Sequence, residues 1–264
     1  MGRSLTTMIT IGWALLGTEA IKLRRSVPLL LAVLAPVLAI VLELAVVFDR
    51  LSPPFGSAAA KWRVLLQSGW AWMALCLPVL IAFEAACLAN LEHAGKQWKQ
   101  LFAFPIPRWS FYATKMLFCG LLAWIGLLIA VPGYIGDVLI YSAVHGLGLW
   151  SSIPWLEILG TAGKACLASC LLIAIQTWIS ARVSGIAMPV GIALAALVVG
   201  LTLLPFANGK IAAWYPSTLP LAALPTNNPR ALYSPMSAVL FGFFGGILVG
   251  AFACWDLARR PQSN

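Results

Sequence analysis

The sequence predicts an all-α polytopic membrane protein with six transmembrane helices, and three features predict this class. Of the 264 residues, 61% are hydrophobic and 9% are charged, whereas an ordinary soluble domain is about half apolar and about a quarter charged. Mean hydropathy is +0.93. Six apolar stretches each reach the roughly 20 residues that a helix needs to cross the hydrocarbon core. This composition excludes a soluble globular enzyme, a disordered tail and a disulfide-stapled secreted module.

The chain begins with a segment that we predict to be an amphipathic helix at the inner membrane interface, over residues 1–26. One face carries apolar residues at helical spacing: Leu5, Met8, Ile9, Gly12, Leu15 and Leu16. The other face carries Arg3, Thr6, Thr7 and Thr10. A signal peptide is the alternative, but it does not fit a single N-terminal charge, the absence of a clear cleavage site and a span that starts almost at once.

The predicted spans follow as six stretches of 21 to 26 residues: 27–48, 70–91, 116–141, 156–179, 186–206 and 236–257. The longest piece outside them has 29 residues, which is well short of the roughly 50 that an independent domain needs. The sequence therefore predicts one transmembrane domain over residues 1–264.

The distribution of positive charge predicts the orientation. Six spans place both termini on one side, and that side carries 11 of the 17 Lys and Arg residues, against five on the other side. The positive-inside rule then places both termini in the cytoplasm. In a chain of this class the formal charge of +9 indicates topology, and we expect no nucleic-acid partner.

Several motifs of soluble enzymes are absent from the sequence. The string Gly160 to Lys164 resembles a P-loop, but its glycine spacing is wrong and Ala165 replaces the magnesium-binding Ser or Thr. The two histidines, His93 and His145, fall on opposite predicted sides of the membrane. We therefore expect no nucleotide hydrolysis, zinc site or Ser-His pair in this chain. The cysteines all lie in predicted spans without zinc-finger or CxxC spacing: Cys76, Cys87, Cys119, Cys166, Cys170 and Cys254.

Four charged residues lie inside the predicted spans: Glu43, Glu84, Asp137 and Lys164. A buried charge at the bilayer centre costs at least about 2.5 kcal/mol. Glu84 is the deepest, whereas the other three are close enough to the outer ends of their helices to reach the interface. Glu43 and Glu84 are candidates for a translocation path. The alternative interpretation, a helix–helix hydrogen bond or a side chain that extends to the interface, remains open for each.

Later elements carry further signals. Pro132-Gly133 predicts a break or kink in the third span. Residues 207–235 are rich in proline and too apolar for a solvated loop, which favours a segment that dips into the outer leaflet. In the sixth span a stripe of small residues, suited to close helix packing within the chain or in a homodimer, is formed by Gly242, Gly246 and Gly250.

The longest inner loop, residues 92–115, predicts a short amphipathic helix at the inner surface. Trp98 and Leu101 share one face and Lys99 lies on another. The prolines of residues 104–107 end this helix, and a second short helix leads into the third span. Such a rigid segment is suited to receive a push from a soluble partner. A solvated connection whose basic residues only set the topology is the alternative.

This loop resembles the first cytoplasmic loop of ABC-2-type permeases, in particular those of lantibiotic immunity and bacitracin resistance. The matching residues are Glu92, Trp98, Lys99, Leu101, Pro105, Arg108, Tyr112 and Lys115. The predicted spans, N-terminal helix and half-inserted segment match as well. The resemblance implies a permease of the bacterial inner membrane that pairs with a second permease copy or paralogue and with two ATPase subunits, which bind ATP and Mg. It further implies that the loop is the coupling helix that docks on the ATPase. His93-Ala94-Gly95 departs from the more polar residues of that family and leaves the substrate subclass open.

The leading hypothesis is thus a non-enzymatic permease subunit of an ABC exporter that moves an amphipathic peptide, antibiotic or lipid-like substrate. Two other classes remain open. One is an intramembrane enzyme that uses Glu84, Asp137 or His145. The other is a non-transporting membrane scaffold or sensor coupled to an ATPase. Turnover by the isolated chain would favour the enzyme, and ATP hydrolysis without a transported product would favour the sensor.

Overall fold

A computed structural model describes Gly17 and residues 26–50, 56–94, 108–204, 210–225 and 234–259. Within these residues the secondary structure is helical and contains no β-strand. The predicted interfacial helix over residues 1–26 lies almost entirely outside the described part of the chain. The all-α class that the apolar composition predicts is therefore confirmed.

Eight α-helices can be followed through the described residues. They are α1 (Val27–Arg50), α2 (Ala58–Ala94), α3 (Arg108–Val144), α4 (Trp155–Ala168), α5 (Cys170–Arg182), α6 (Ala187–Thr202), the single turn α7 (Leu219–Ala222) and α8 (Pro235–Arg259). Three short 3₁₀ turns cover Leu149–Ser151, Ala212–Trp214 and Pro216–Thr218. Helices dominate because hydrocarbon offers no partner for backbone polar groups, and a helix pairs nearly all of them within itself.

Prolines lie inside the first three helices without ending them. Pro36 lies in α1, Pro78 in α2 and Pro132 in α3, and each helix continues past its proline. Of the break or kink that Pro132-Gly133 predicted, the break is not present, because α3 runs unbroken for 37 residues; the kink stays a prediction. Packed neighbouring helices and local adjustment can satisfy the backbone groups that a proline frees in such a helix.

Five helical segments of the described chain are long and apolar enough to cross a membrane. They are formed by α1, α2, α3, the α4–α5 pair and α8. Helices α4 and α5 are separated only by Ser169, whose hydroxyl donates to the Ala165 carbonyl oxygen at 2.7 Å. Helix α6 corresponds to the predicted fifth span, but it has 16 residues and so measures about 24 Å. A sixth span therefore stays a prediction.

Helices α1, α3, α5 and α6 pack against α2. Within the membrane-crossing window of α2, 69% of the residues are buried, against 28% for α1 and 33% for α8. Helix α1 packs on α2 and α3, and α8 packs on α5, α3 and α4. Helices α1 and α8 are therefore peripheral, and most of their surface faces away from the rest of the chain.

The two ends of the helical bundle differ in charge. We call the end where α2 ends and α3 begins the basic end, because α5 and α8 end there at Arg182 and Arg259. The far end is the opposite one, where Arg63 of α2 pairs with Glu157 of α4 at 3.2 Å.

The described part of the predicted re-entrant segment, residues 210–225, packs against the helices of the bundle. Ser217 donates to the Ala196 carbonyl oxygen of α6 at 3.1 Å. Leu219 is fully buried and belongs to the same apolar cluster as Ala168 and Leu171. Because Ala168 and Leu171 flank the joint between α4 and α5, the segment extends from the far end into the interior of the bundle.

Candidate functional site

The residues predicted to contact an ATPase lie where α2 meets α3. Glu92 belongs to the last turn of α2, and Arg108 is the first residue of α3. The helices thus extend into the predicted loop from both sides, and residues 95–107 connect them. Outside the described residues lie Trp98, Lys99, Leu101 and Pro105.

Lys115 ties α3 to α2 next to this connection. The side chain is 3% exposed, and its Nζ donates to the Leu88 carbonyl oxygen at 3.0 Å. Leu88 lies within the last two turns of α2, near the negative end of the helix dipole, so an ammonium group is favourable there. Tyr112 lies three residues earlier on the same face of α3 and is also buried. The resemblance to permeases selected both residues, and the fold buries both, with Lys115 bonded across to α2.

Glu84 of α2 lies in a cluster of neutral polar side chains, which we call the α2–α5 polar cluster. The Cys119 thiol of α3 lies close to the Glu84 carboxyl group and to Thr177 of α5. Gln176 and Ser180 of α5 are buried on the adjacent turns. Among the described residues, no hydrogen-bond partner reaches either Glu84 oxygen, the Gln176 side-chain oxygen, or the Thr177 and Ser180 hydroxyls. Three helices therefore contribute buried polar groups to the half of the bundle nearer the basic end.

Sequence reasoning selected only Glu84 from this cluster. Gln176, Thr177 and Ser180 interrupt the apolar pattern of α5 at positions i, i+1 and i+4, which share one side of a helix. That interruption of the apolar pattern was the sequence signal that could have identified these three residues. The partner of this polar face could not be read from one sequence, because it depends on which helix packs against α5.

Glu43 and Asp137 lie close enough to interact electrostatically at a second buried position, which we call the acidic junction. Their exposed fractions are 1% and 4%, so neither side chain reaches the interface in this packing. The Ser68 hydroxyl of α2 donates a hydrogen bond to Glu43 Oε1. The Tyr134 side chain of α3 lies within electrostatic range of both carboxyl groups, and the two carboxyl groups lie within electrostatic range of each other. The junction therefore joins α1, α2 and α3.

The residues of the enzyme hypothesis do not converge. Glu84 lies at the level of Cys119, and 18 residues of α3 separate Cys119 from Asp137, or about 27 Å along the helix. His145 follows the end of α3, where its ring stacks on Tyr141 with centroids 4.0 Å apart. Glu84 therefore could not act on the same substrate atom as Asp137 or His145.

The glycine stripe of α8 packs against helices of the same chain. A Cβ atom at Gly242 would overlap the Ala168 carbonyl oxygen, and one at Gly246 would lie 2.6 Å from the Cys170 carbonyl carbon. At Gly250 a Cβ atom would meet the Met116 methyl group at 2.5 Å. The first two contacts are with backbone on either side of Ser169, so α8 lies directly on the joint between α4 and α5.

A polar contact that the sequence did not predict links α5 to α8 near the basic end. Asp256 Oδ2 accepts hydrogen bonds from the Arg182 guanidinium at 2.5 Å and from Trp178 Nε1 at 3.1 Å. The guanidinium carbon also lies 4.1 Å from the centre of the Trp178 ring. We call these three residues the α5–α8 brace.

An apolar groove of about 460 Å³ opens between α3, α5 and α8. Its walls include Met116, Leu117, Trp124, Phe243, Ile247 and Cys254. Several of these side chains are exposed on the outer surface of the bundle. The groove can accept an apolar chain of a lipid or of an amphipathic molecule.

Two further observations concern chemistry. Throughout the described ranges, no three His, Cys, Asp or Glu side chains are grouped so that they could hold a metal ion. The six cysteines are free thiols.

Comparison with known proteins gives one match. Residues 15–200 match a family model described as "ABC-2 family transporter protein". The match covers more than half of the chain and extends from before α1 into α6. No curated protein matches the sequence.

Proposed function

The chain belongs to the ABC-2 transporter family, and we propose that it is the membrane-spanning permease subunit of an ABC exporter. Members of this family generally work with ABC ATPase partners and are typically non-catalytic. In this proposal separate ATPase subunits bind ATP and Mg, and this chain supplies the path. The absence of a P-loop from the sequence agrees with that division of labour.

The topology that we propose has six spans, with α6 as the fifth. The basic end faces the cytoplasm of a bacterium, so that residues 95–107 and both termini lie on the side of the ATPase. The excess of Lys and Arg on that side supports this orientation. A second copy or a paralogue completes the permease, and the lipid-facing surfaces of α1 and α6 supply apolar area for it.

The observation that carries the coupling proposal is the bond from Lys115 to the Leu88 carbonyl group. It joins the end of α2 to the start of α3 within two turns of residues 95–107. A displacement of that segment therefore moves both helices together. Because α2 is the most buried helix, its motion reaches every helix packed around it.

For the translocation path we propose Glu84 and Glu43, each of which faces other helices. Separation of α5 from α2 would expose Glu84 with its polar neighbours, and separation of α1 would expose Glu43. The apolar groove beside α8 supports an amphipathic peptide, antibiotic or lipid-like substrate. From the resemblance of the 92–115 region, we propose that the chain is similar in role to the permeases of lantibiotic immunity and bacitracin resistance.

Co-purification followed by an ATPase assay tests the coupling. We expect a soluble P-loop protein to purify with the full chain and its ATP hydrolysis to rise when the complex is in lipid. Trp98→Ala and Arg108→Glu should reduce this stimulation at least tenfold. Trp155→Ala is the matched control, because Trp155 is 54% exposed at the far end and should leave stimulation unchanged.

A second pair of variants tests the link between α2 and α3. Lys115→Met should uncouple ATP hydrolysis from transport, and Lys115→Arg should restore much of the coupling because a guanidinium group can still donate to Leu88.

Normal transport in both Trp98→Ala and Arg108→Glu would refute the assignment of the loop. Stimulated ATP hydrolysis without any transported product would instead support the sensor hypothesis.

A further inference from the structure

The acidic junction holds two carboxyl groups and two hydroxyl groups at the contact of three helices. Its members are Glu43 of α1, Ser68 of α2, and Tyr134 and Asp137 of α3. Three of the four are more than nine-tenths buried: Glu43, Tyr134 and Asp137 have exposed fractions of 1%, 3% and 4%. Within the described chain, Glu43 Oε2, Asp137 Oδ2 and the Tyr134 hydroxyl have no hydrogen-bond partner.

No basic group of the described residues neutralises this junction. Neither carboxyl group lies within ion-pair distance of a described Lys, Arg or His side chain. On α2, Lys61 and Arg63 precede Ser68 by at least five residues, and Arg63 pairs with Glu157. On α4, Lys164 is half-buried and forms no ion pair with either carboxyl group of the junction.

The other titratable groups near the junction are neutral in their ordinary forms. They are Cys76 on α2 and Tyr134 and Tyr141 on α3. On α1, the buried residues on either side of Glu43 are Ala39 and Val47. Among the described residues no side chain supplies compensating charge, and we infer that a bound species supplies it.

Two like charges cannot remain buried and uncompensated. Transfer of even one ion to a low-dielectric interior carries a penalty of several kcal/mol, and repulsion between two carboxylates adds to it. Close packing around Glu43 and Asp137 therefore requires that positive charge enter the site. Oxygen ligands of this type suit a hard cation or a shared proton.

The packing around the two carboxyl groups limits the size of that species. Glu43 and Asp137 are 1% and 4% exposed. The cavity of about 30 Å³ between α1, α2 and α3 is apolar and neither carboxyl group lines it, so it leaves no room beside them for an organic ammonium group. Side chains packed this closely admit only a small species.

We propose that the acidic junction binds one small monovalent cation, Na⁺ or a proton, between Glu43 and Asp137. The Tyr134 and Ser68 hydroxyls supply neutral oxygen ligands. The bound charge holds α1 against α2 and α3, because the two carboxyl groups come from different helices. This site goes beyond the proposed transport function and does not depend on it.

Thermal unfolding of the purified full-length chain in lipid nanodiscs tests the proposal. At pH 8 and constant ionic strength, choline chloride is replaced stepwise by NaCl. In a second arm, pH is lowered from 8 to 6 in choline chloride alone. At ten times the dissociation constant we expect Tm to rise by roughly 3–5 °C, with single-site saturation, in the arm that contains the true ligand. A response to Na⁺ identifies an alkali cation, and a response to pH alone identifies a proton.

Variants assign the response to this site. Glu43→Gln and Asp137→Asn should abolish it, and Tyr134→Phe should weaken it with little change in the fold. Glu157→Gln is the control, because Glu157 is an exposed carboxyl at the same end, and it should respond as the wild type does. The proposal is overturned if the wild type responds in neither arm. It is equally overturned if Tyr134→Phe and either carboxyl variant keep the full response.

Discussion

Helices α1 and α8 bury similar fractions of their spans, yet they are attached to the bundle in different ways. Helix α8 lies on the backbone of the α4–α5 joint through Gly242 and Gly246. Helix α1 approaches α3 less closely, because the flexible Ile40 side chain lies over Gly133 and a Cβ atom at Gly126 would lie 3.5 Å from the Ala32 carbonyl oxygen, an ordinary contact distance. Close backbone contact leaves no room for sliding, whereas side-chain contact can repack.

The polar contacts differ in the same direction. The α5–α8 brace joins opposite charges, Arg182 and Asp256. The acidic junction brings together two carboxyl groups, those of Glu43 and Asp137. Helix α8 is thus fixed to its neighbours, whereas the position of α1 depends on what compensates its buried carboxyl group. We therefore expect α1 to be the helix that moves against the bundle.

The largest expected effect is that of Gly242→Ala. The added methyl group would overlap the Ala168 carbonyl oxygen, and backbone cannot yield as a side chain can. We expect a loss of about 3 kcal/mol in the free energy of unfolding, measured by SDS titration in mixed micelles. Gly163→Ala is the control, since its methyl group meets nothing within 4 Å. Equal stability of the two variants would show that α8 is not held by backbone contact.

An intermediate effect is expected when the brace is weakened. Asp256→Asn keeps the shape of the acceptor but removes the charge that pairs with Arg182. Because Asp256 and Arg182 are 20% and 31% exposed, the loss should be about 1 kcal/mol. Glu157→Gln, which breaks the more exposed pair with Arg63, should cost less than about 0.5 kcal/mol by the same measurement. The reverse order would contradict a structural role for the brace.

The smallest effect is expected from Gly133→Ala, the counterpart of the α8 glycine variant. The new methyl group would meet the Ile40 side chain, whose outer atoms can rotate away. The change in unfolding free energy should stay below about 1 kcal/mol, because repacking of one isoleucine is cheap and alanine favours a helix. A loss as large as that of Gly242→Ala would mean that α1 is fixed as firmly as α8.

The lengths of the helices were only partly open to prediction. Within the described residues, apolar runs identified every long helix, since hydrocarbon length and backbone pairing constrain them directly. They did not reveal that α2 begins at Ala58 and that α3 begins at Arg108. These extra turns carry polar residues, and hydropathy does not separate a helical extension from a loop. Pro132 likewise suggested a break that the packing around α3 does not require.

By itself, the amino-acid sequence determined the all-α membrane class, the apolar segments, the lack of a nucleotide motif and the resemblance of the 92–115 region to permeases. Each of these follows from local composition or spacing. Only the tertiary structure decided which polar residues meet: Lys115 with Leu88, Glu84 with Cys119 and Thr177, Glu43 with Asp137, and Arg182 with Asp256. These pairs join residues of different helices, and the identity of a partner depends on how the helices pack rather than on the residues adjacent in the chain.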